Sequence, residues 1–172
     1  TIIGDMTFNN EVIELGENLQ FRRMERYDVE GSGIVASYIH LGGKVGVLLE
    51  VGCGKEETAG ADSFHQLVKD LTLQIAAAAP AGISREDIAP ELVEVEKDLF
   101  RKQLAESGKP PEILEKIIEG KLGKFYSNIC LLEQGFIKDP DQSIGDLLAS
   151  GGKALDDELT VRRFTRFGVG ED

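Results

Sequence analysis

The 172-residue sequence contains no tryptophan, two histidines and two cysteines, and each scarcity excludes a class of site. Cys53 and Cys130 are far apart and neither belongs to a CxxC pattern. Neither a disulfide framework nor a structural zinc site is therefore expected. Both cysteines stand among apolar neighbours, which favours two buried thiols in a reducing compartment. His40 and His65 lack the i, i+4 spacing of a helical metal site, so we expect no bound metal.

Positive charge is also scarce, because 19 basic residues face 31 acidic ones and the net charge is −12. Nucleic-acid binding and attachment to an anionic membrane both need a concentrated basic surface, so neither is expected. No apolar run approaches the roughly 20 residues that span a bilayer. The first ten residues resemble no secretory signal, and they begin without Met, so we expect that an N-terminal portion precedes them. A partner with basic patches, or good solubility alone, fits this charge.

Alternating and β-branched residues predict two strands, Ile34–His40 and Val45–Cys53, joined by a glycine turn in a hairpin. A closing strand, "ELTVRRFTRFGVG", is predicted to place four side chains on one face: Leu159, Val161, Arg163 and Thr165. Nearer the start, the pattern predicts a helix over Phe8–Leu15 and a strand that begins at Glu17 and continues through Met24.

Helical spacing predicts a helix from Phe64 to Ala79, capped by Asp62 or Ser63. A short helix, Ile144–Ala149, is predicted to be capped by Ser143.

Two longer helices, Glu91–Glu106 and Glu112–Ser127, are predicted on either side of the breaker "SGKPP". Each carries one apolar stripe, and the two facing stripes predict an antiparallel helical hairpin. The predicted stripes are Leu92, Val95, Leu99 and Leu104 on the first helix, and Ile113, Leu114, Ile117, Ile118, Leu122 and Phe125 on the second.

One short internal similarity links two Arg-Arg pairs. "ENLQFRRM" (Glu17–Met24) and "DELTVRRF" (Asp157–Phe164) share an acidic start, a leucine and the two arginines. This favours two strands of one antiparallel sheet, whose arginines pair with acidic side chains such as Glu50. Direct contact of these arginines with a partner is the alternative.

No residue cluster points to catalysis. From the residues alone, His40 and His65 fit ordinary surface histidines, and Glu56 and Glu57 form a carboxylate pair with no sign of a pocket. Neither "LGGK" nor "GVGED" is a phosphate loop. We therefore expect a binding protein that is not an enzyme and needs no cofactor.

Five segments resemble the elongation factor Ts family, in the order in which the family has them. They are "LGENLQFRR", "SYIHLGGKVGVLLEV", "LTLQIAAAAP", "SGKPPEILEKIIEGKLGKFYSNICLLEQGFIKDP" and "RRFTRFGVGE". Together they extend from Leu15 to Glu171, and the long central segment is the most specific of them.

The resemblance implies an α+β fold, in which an antiparallel sheet is packed by helices and a helical hairpin protrudes as a short coiled coil. Within one discontinuous core domain, we expect a first core part over 1–88, the hairpin over 89–128 and a closing core part over 129–172.

The resemblance also implies a guanine-nucleotide exchange factor without catalytic residues, whose binding to elongation factor Tu makes GDP leave. His40, Leu41, Ile137 and Lys138 would then contact factor Tu. Lys138 departs from the Met or Arg-like residue associated with that place in the family.

Two family features are absent from the sequence: an N-terminal helical module with an R-x-x-T-G pattern, and a T-D-F-V motif. We therefore expect that the chain corresponds to the C-terminal half of the family's core. An acidic dimerisation module, with self-association through the helical hairpin, is the alternative reading. A bacterial cytoplasm is the expected location, and an organelle matrix or stroma is the alternative.

Overall fold

The computed structural model describes residues 14, 16, 23–105 and 107–171. The predicted helix over Phe8–Leu15 lies outside these residues except at position 14, and so does most of the strand predicted from Glu17. The described part of that strand, Arg23 and Met24, has no regular secondary structure, and neither has the segment that follows it to Glu30. The prediction of a strand through Met24 is therefore wrong at its C-terminal end.

Antiparallel strands form the sheet structure of the described residues. The strands are β1 (Gly33–His40), β2 (Val45–Cys53), β3 (Gly135–Phe136), β4 (Asp139–Ser143) and β5 (Leu159–Gly168). The first two and the last make one sheet in the order β1-β2-β5, and β3 pairs with β4. The predicted hairpin is confirmed, since His40 pairs with Val45 and Gly33 with Gly52. Its turn needs glycine, because Gly42 and Gly43 have φ angles of 65° and 96°.

Five α-helices are found in the described ranges: α1 (Glu56–Ala59), α2 (Asp62–Ala78), α3 (Pro90–Leu104), α4 (Pro111–Ile129) and α5 (Ile144–Ala154). Three short 3-10 helices occur at Leu41–Gly43, Arg85–Asp87 and Leu131–Glu133. The N-cap residue of α2 is Ala61, without a side-chain hydrogen bond, so the predicted cap by Asp62 or Ser63 is wrong. The cap of α5 is confirmed, because the Ser143 hydroxyl accepts the backbone N–H of Asp146. The α+β class is confirmed by these elements.

The main core lies between one face of the sheet and α2. Val47, Leu49 and Val51 of β2 are buried there together with Phe64 and Ile75 of α2. Each fully buried aliphatic or aromatic side chain contributes about 1.5–3 kcal/mol. This packing fixes α2 against the sheet, and both elements carry the residues discussed below.

A second, smaller cluster joins α3 and α4. Ile118 and Leu122 of α4 are buried there, as predicted, but Val93 is the buried residue of α3. The predicted stripe of α3 is wrong at Leu92, Val95 and Leu99, which are 45%, 66% and 46% exposed, and correct at Leu104. The predicted stripe of α4 is wrong at Ile113, which is also exposed. The helix carries two apolar stripes, and the second, which continues through Phe100 and Leu104, packs against α4. That the pair protrudes as a coiled coil stays a prediction, and so does the three-part division of the chain.

A β-bulge breaks the alternation of β5. Arg163 pairs with Glu50 and Val161 with Val51, which leaves Arg162 as an extra residue between them. Beyond the bulge the side chains change faces, so Phe164 packs with Leu159 and Val161 against the core. The predicted face of Leu159, Val161, Arg163 and Thr165 is therefore wrong beyond Val161.

Candidate partner-binding surface

His40 is the last residue of β1, directly before the turn Leu41–Gly43. Its Nδ1 atom lies 2.8 Å from the hydroxyl oxygen of Tyr38. The two rings stack with their centroids 5.6 Å apart. His40 is half-buried, less exposed than its place beside the turn predicts, and its contacts with Tyr38 fix the direction of its ring.

The turn after His40 is held by the residue that follows β5, whose last residue pairs with Val45 beside the turn. Leu41 is its first residue, and the backbone N–H of Val169 donates to the Lys44 carbonyl at 2.8 Å. This bond ties the end of β5 to the hairpin. The turn therefore has a defined position relative to the sheet.

Ile137 and Lys138 form the corner between β3 and β4, called here the 137–138 corner. The backbone N–H of Ile137 donates to Oε1 of Gln74 at 2.9 Å, while the Ile137 side chain remains 40% exposed. Nζ of Lys138 lies 2.7 Å from Oδ1 of Asp70. Two residues of α2, one turn apart, therefore hold the corner.

Helix α2 separates His40 from the 137–138 corner. On the His40 side, a groove of about 200 Å³ is lined by Tyr38, Lys69 and Thr72. Asp70 and Gln74 hold the corner on the other side. With 3.6 residues per turn, these two sets lie on nearly opposite flanks of a helix about 10 Å wide. The predicted site residues therefore do not form one cluster, although the exposed face of α2 lies between them.

Asp70 and Gln74 were not among the predicted site residues. Gln74 stands within the apolar run "LTLQIAAAA", at a position where it is 1% exposed. A polar residue on the buried face of a helix needs a hydrogen-bond partner. A glutamine within an apolar helical run was therefore the signal in the sequence that could have identified Gln74.

The most buried carboxylate belongs to a structural cluster. Glu50, 1% exposed, accepts hydrogen bonds from the backbone N–H of Glu30 at 2.9 Å, from Nε of Arg163 at 2.6 Å and from Nη1 of Arg162 at 3.1 Å. The predicted pairing of this Arg-Arg pair with Glu50 is thereby confirmed. Since these donors surround the carboxylate, Glu50 has no evident role as an acid or base.

The two cysteines and His65 also lie in surroundings that give them no sign of reactivity. Burial raises the pKa of both the Cys53 and the Cys130 thiols, which keeps them protonated and poorly nucleophilic. His65 has Nε2 3.0 Å from the carbonyl oxygen of Ala59. No group of three or more metal-ligating residues occurs within the described ranges.

A cavity of about 470 Å³ lies between α5 and β5, apart from the predicted residues. Its apolar lining includes Leu132, Leu148 and Val161, and it contains neither His nor Cys.

Among the helices that the structure describes, none combines the length and the apolar character needed to cross a membrane.

Comparison with known proteins assigns a family to nearly the whole chain. The family described as "Elongation factor TS" matches residues 4–171. The elongation factor Ts of Trichlorobacter lovleyi is 41% identical over 163 residues, which are 95% of this chain and 52% of that protein. The elongation factor Ts of Geobacter sulfurreducens is 48% identical over 139 residues, 81% of this chain and 64% of that protein. The chain thus spans between half and two thirds of the length of these relatives.

Proposed function

Because the chain belongs to the elongation factor Ts family, we propose that it acts in translation elongation by binding elongation factor Tu and promoting the release of GDP. The family match over residues 4–171 carries this proposal, because it includes both the β1–β2 hairpin and the 137–138 corner. The chain would be an exchange factor rather than an enzyme, with no cofactor of its own. Its bacterial relatives support a location in a bacterial cytoplasm.

The proposed exchange needs no covalent step, because it follows from linked binding equilibria. If the chain binds nucleotide-free factor Tu more tightly than the GDP form, GDP binds the complex more weakly by the same factor. A typical coupling of about 1–3 kcal/mol corresponds to about 5- to 150-fold. Such coupling requires contacts that differ between the two forms of factor Tu, and it requires no catalytic residue on this chain.

The proposed contact surface has His40 and Leu41 at one end and the 137–138 corner at the other. The exposed face of α2, with Gln66 and Lys69, lies between these ends. Gln66 donates to Asp70 at 2.8 Å, and Asp70 also binds Lys138. These contacts link the middle of the surface to one of its ends, so a single partner could cover the whole of it.

Binding of factor Tu and acceleration of GDP release are two different properties, and we expect them to differ in this chain. It spans 52% and 64% of two of its relatives and lacks the T-D-F-V motif of the family. We therefore expect the chain to keep its affinity for factor Tu more fully than its exchange activity.

The test measures both properties on one preparation. Factor Tu loaded with a fluorescent GDP analogue is mixed with the chain, and dissociation of the nucleotide is followed with excess unlabelled GDP. We expect faster dissociation, and retention of the chain on immobilised factor Tu with and without GDP. No retention under either condition would overturn the proposal, and retention without faster release would limit it to binding.

His40→Ala tests the hairpin end of the surface. We expect weaker binding to factor Tu by about 1–2 kcal/mol and a nearly unchanged melting temperature, because His40 stands at a half-exposed strand end. Tyr38→Phe is the matched control, since it keeps the stacked ring and removes only the hydroxyl that orients His40, so its effect should be smaller. A lower melting temperature with unchanged affinity would instead place His40 in the core, and the 137–138 corner would remain as the contact.

A further inference from the structure

We infer that the buried amide pair Gln74–Gln134 sets the position of the 137–138 corner, and that Gln74 is thereby a positioning residue for the binding of factor Tu. The partner in this inference rests on the proposed function. The geometric part concerns this chain alone and can be measured without a partner.

The Gln74 amide is buried and fully hydrogen-bonded. Gln74 is 1% exposed, and its Nε2 donates to Oε1 of Gln134 and to the carbonyl of Gly135, each at 3.2 Å. Its Oε1 accepts the backbone N–H of Ile137 at 2.9 Å. One side chain of α2 thus bonds to the residues before and within the corner.

The orientation of both amides follows from their backbone partners. The N–H of Ile137 can only donate, so the Gln74 atom that faces it must be oxygen. The carbonyl of Gly135 can only accept, so the other end of the Gln74 amide must be nitrogen. Gln134 faces the carbonyl of Asn128 with its nitrogen at 2.8 Å, which leaves its oxygen for Gln74. This orientation satisfies all of these contacts at once.

Gln134 connects the corner to the ends of two helices. It is 4% exposed, and its Nε2 lies near the carbonyls of Asn128, in the last turn of α4, and of Ala78, the last residue of α2, at 2.8 and 3.5 Å. Carbonyls in the last turn of a helix lack partners within the helix. The carbonyl of Gln134 itself accepts the N–H of Ile144, the first residue of α5. The amide pair therefore stands where three helices and the corner meet.

The second contact of the corner is weaker and cannot replace the first. Lys138 pairs with Asp70, but its side chain is 50% exposed, and exposed ion pairs contribute little to stability. The Ile137 bond to Gln74 has a buried acceptor, and buried polar groups are costly to leave unpaired. Of the two side chains that hold the corner to α2, Gln74 therefore makes the stronger contact, in addition to the pairing of Phe136 with Asp139 across the corner.

The first experiment measures the corner in the chain alone. Gln74→Met removes the amide at nearly constant length, and we expect hydrogen exchange of the Ile137 amide to become about tenfold faster. Thr72→Val is the matched control: Thr72 is equally buried on α2, bonds only to the Lys69 carbonyl and does not touch the corner. We expect Thr72→Val to leave the exchange of Ile137 unchanged. Unchanged exchange of Ile137 in Gln74→Met would overturn the inference.

A conservative variant separates positioning from general stability. Gln74→Glu keeps an oxygen acceptor for the Ile137 N–H and loses the amide nitrogen. We expect it to lower the melting temperature while exchange of the Ile137 amide stays close to that of the unmodified chain. If Gln74→Glu accelerates this exchange as much as Gln74→Met does, the role of Gln74 is structural only and the inference fails. If Gln74→Met folds poorly, Gln74→Glu is compared with the unmodified chain instead, and a tenfold faster exchange of the Ile137 amide in Gln74→Glu would overturn the inference.

The second experiment adds factor Tu. We expect about tenfold weaker binding for Gln74→Met, and less than about a twofold change for Thr72→Val. In a chain that carries Ile137→Ala and Lys138→Ala, adding Gln74→Met should change the affinity little, because residues that act through one contact are not additive. Full additivity would contradict the inference.

The two experiments distinguish a failure of the proposed function from a failure of the inference about Gln74. If Ile137→Ala with Lys138→Ala binds factor Tu as well as the unmodified chain does, the proposed surface is wrong. The same holds if the unmodified chain does not bind. In either case the exchange of the Ile137 amide still decides whether Gln74 positions the corner.

Discussion

At the scale of single residues, Glu50 shows how one buried charge organises a segment that lacks regular structure. Arg162 and Arg163, which bind its carboxylate, also donate to the carbonyls of Ser32 and Asp28, at 3.0 and 2.9 Å. The cluster therefore ties residues 28–32 to the outer face of the sheet. The bulge at Arg162 makes this arrangement possible, because it brings both arginines to the face of Glu50.

The Glu50 cluster predicts a specific acid sensitivity. Burial raises the pKa of Glu50, but hydrogen bonds from the Glu30 backbone and from both arginines outweigh it, so the pKa lies below its ordinary value of 4.5. Because the folded pKa is lowered, the stabilisation is complete above about pH 4.5 and is lost as the pH falls through the folded value. Glu50→Gln should lower the free energy of unfolding at pH 7 by about 2–3 kcal/mol and flatten its decline in acid.

The measurement is chemical denaturation between pH 3 and pH 7. The control is Glu133→Gln, which removes the partly exposed pair with Arg85 and should cost less than about 1 kcal/mol. Equal pH profiles of Glu50→Gln and the unmodified chain would contradict the prediction.

At the scale of secondary structure elements, α3 and α4 have an apolar cluster of their own. The cluster contains Ile118 and Val93, whereas the main core is built on β2 and α2. The two helices should therefore lose their packing without unfolding the sheet. One part of a protein can unfold without the rest, because stability is not uniform across a structure.

Ile118→Asp tests the independence of the helix pair. Ile118 is 2% exposed, and an unpaired buried charge is so costly that the cluster should come apart. We expect a partial loss of helical circular dichroism, while amides of β2 keep their slow hydrogen exchange. Val95→Asp, on the exposed stripe of α3, should leave both unchanged. A loss of all structure in Ile118→Asp would show that the helix pair and the sheet unfold together.

At the scale of the whole molecule, the net charge of −12 opposes association between copies of the chain. The exposed stripe Leu92, Val95 and Leu99 on α3 favours association, because it leaves apolar surface in water. Which of the two effects prevails depends on how far the charges are screened.

Self-association of the chain should therefore increase with salt. The Debye length falls from about 10 Å at 0.1 M to about 3 Å at 1 M ionic strength, which weakens the repulsion and leaves the apolar attraction in place. Sedimentation equilibrium at low and high salt would measure the dimer fraction, with Val95→Asp as the variant expected to reduce it. A dimer fraction that falls with salt would show that charge pairs hold the copies together.

Much of the fold could be predicted from local sequence patterns. Strand alternation and the Gly42-Gly43 turn predict the hairpin, and 3.6-residue spacing predicts α2, α3 and α4 to within a few residues of their ends. The same spacing did not predict α1, and the helix predicted over Ile144–Ala149 continues to Ala154. These signals come from backbone preferences and from the period of each element, which act over a few residues. The segment similarity that indicated the family, and with it His40 and the 137–138 corner, is likewise present in the sequence.

What the sequence left undecided depends on contacts between distant residues. The stripe of α3 that packs, the bulge at Arg162 and the pairing of β3 with β4 each required a partner that local periodicity does not specify. Gln74 is 63 residues from Ile137 and 60 from Gln134, so its role appears only when α2 meets the corner. The sequence by itself determined the elements and the family resemblance, whereas the tertiary structure decided which faces are buried and which polar groups meet, because burial and hydrogen bonding are properties of packed neighbours.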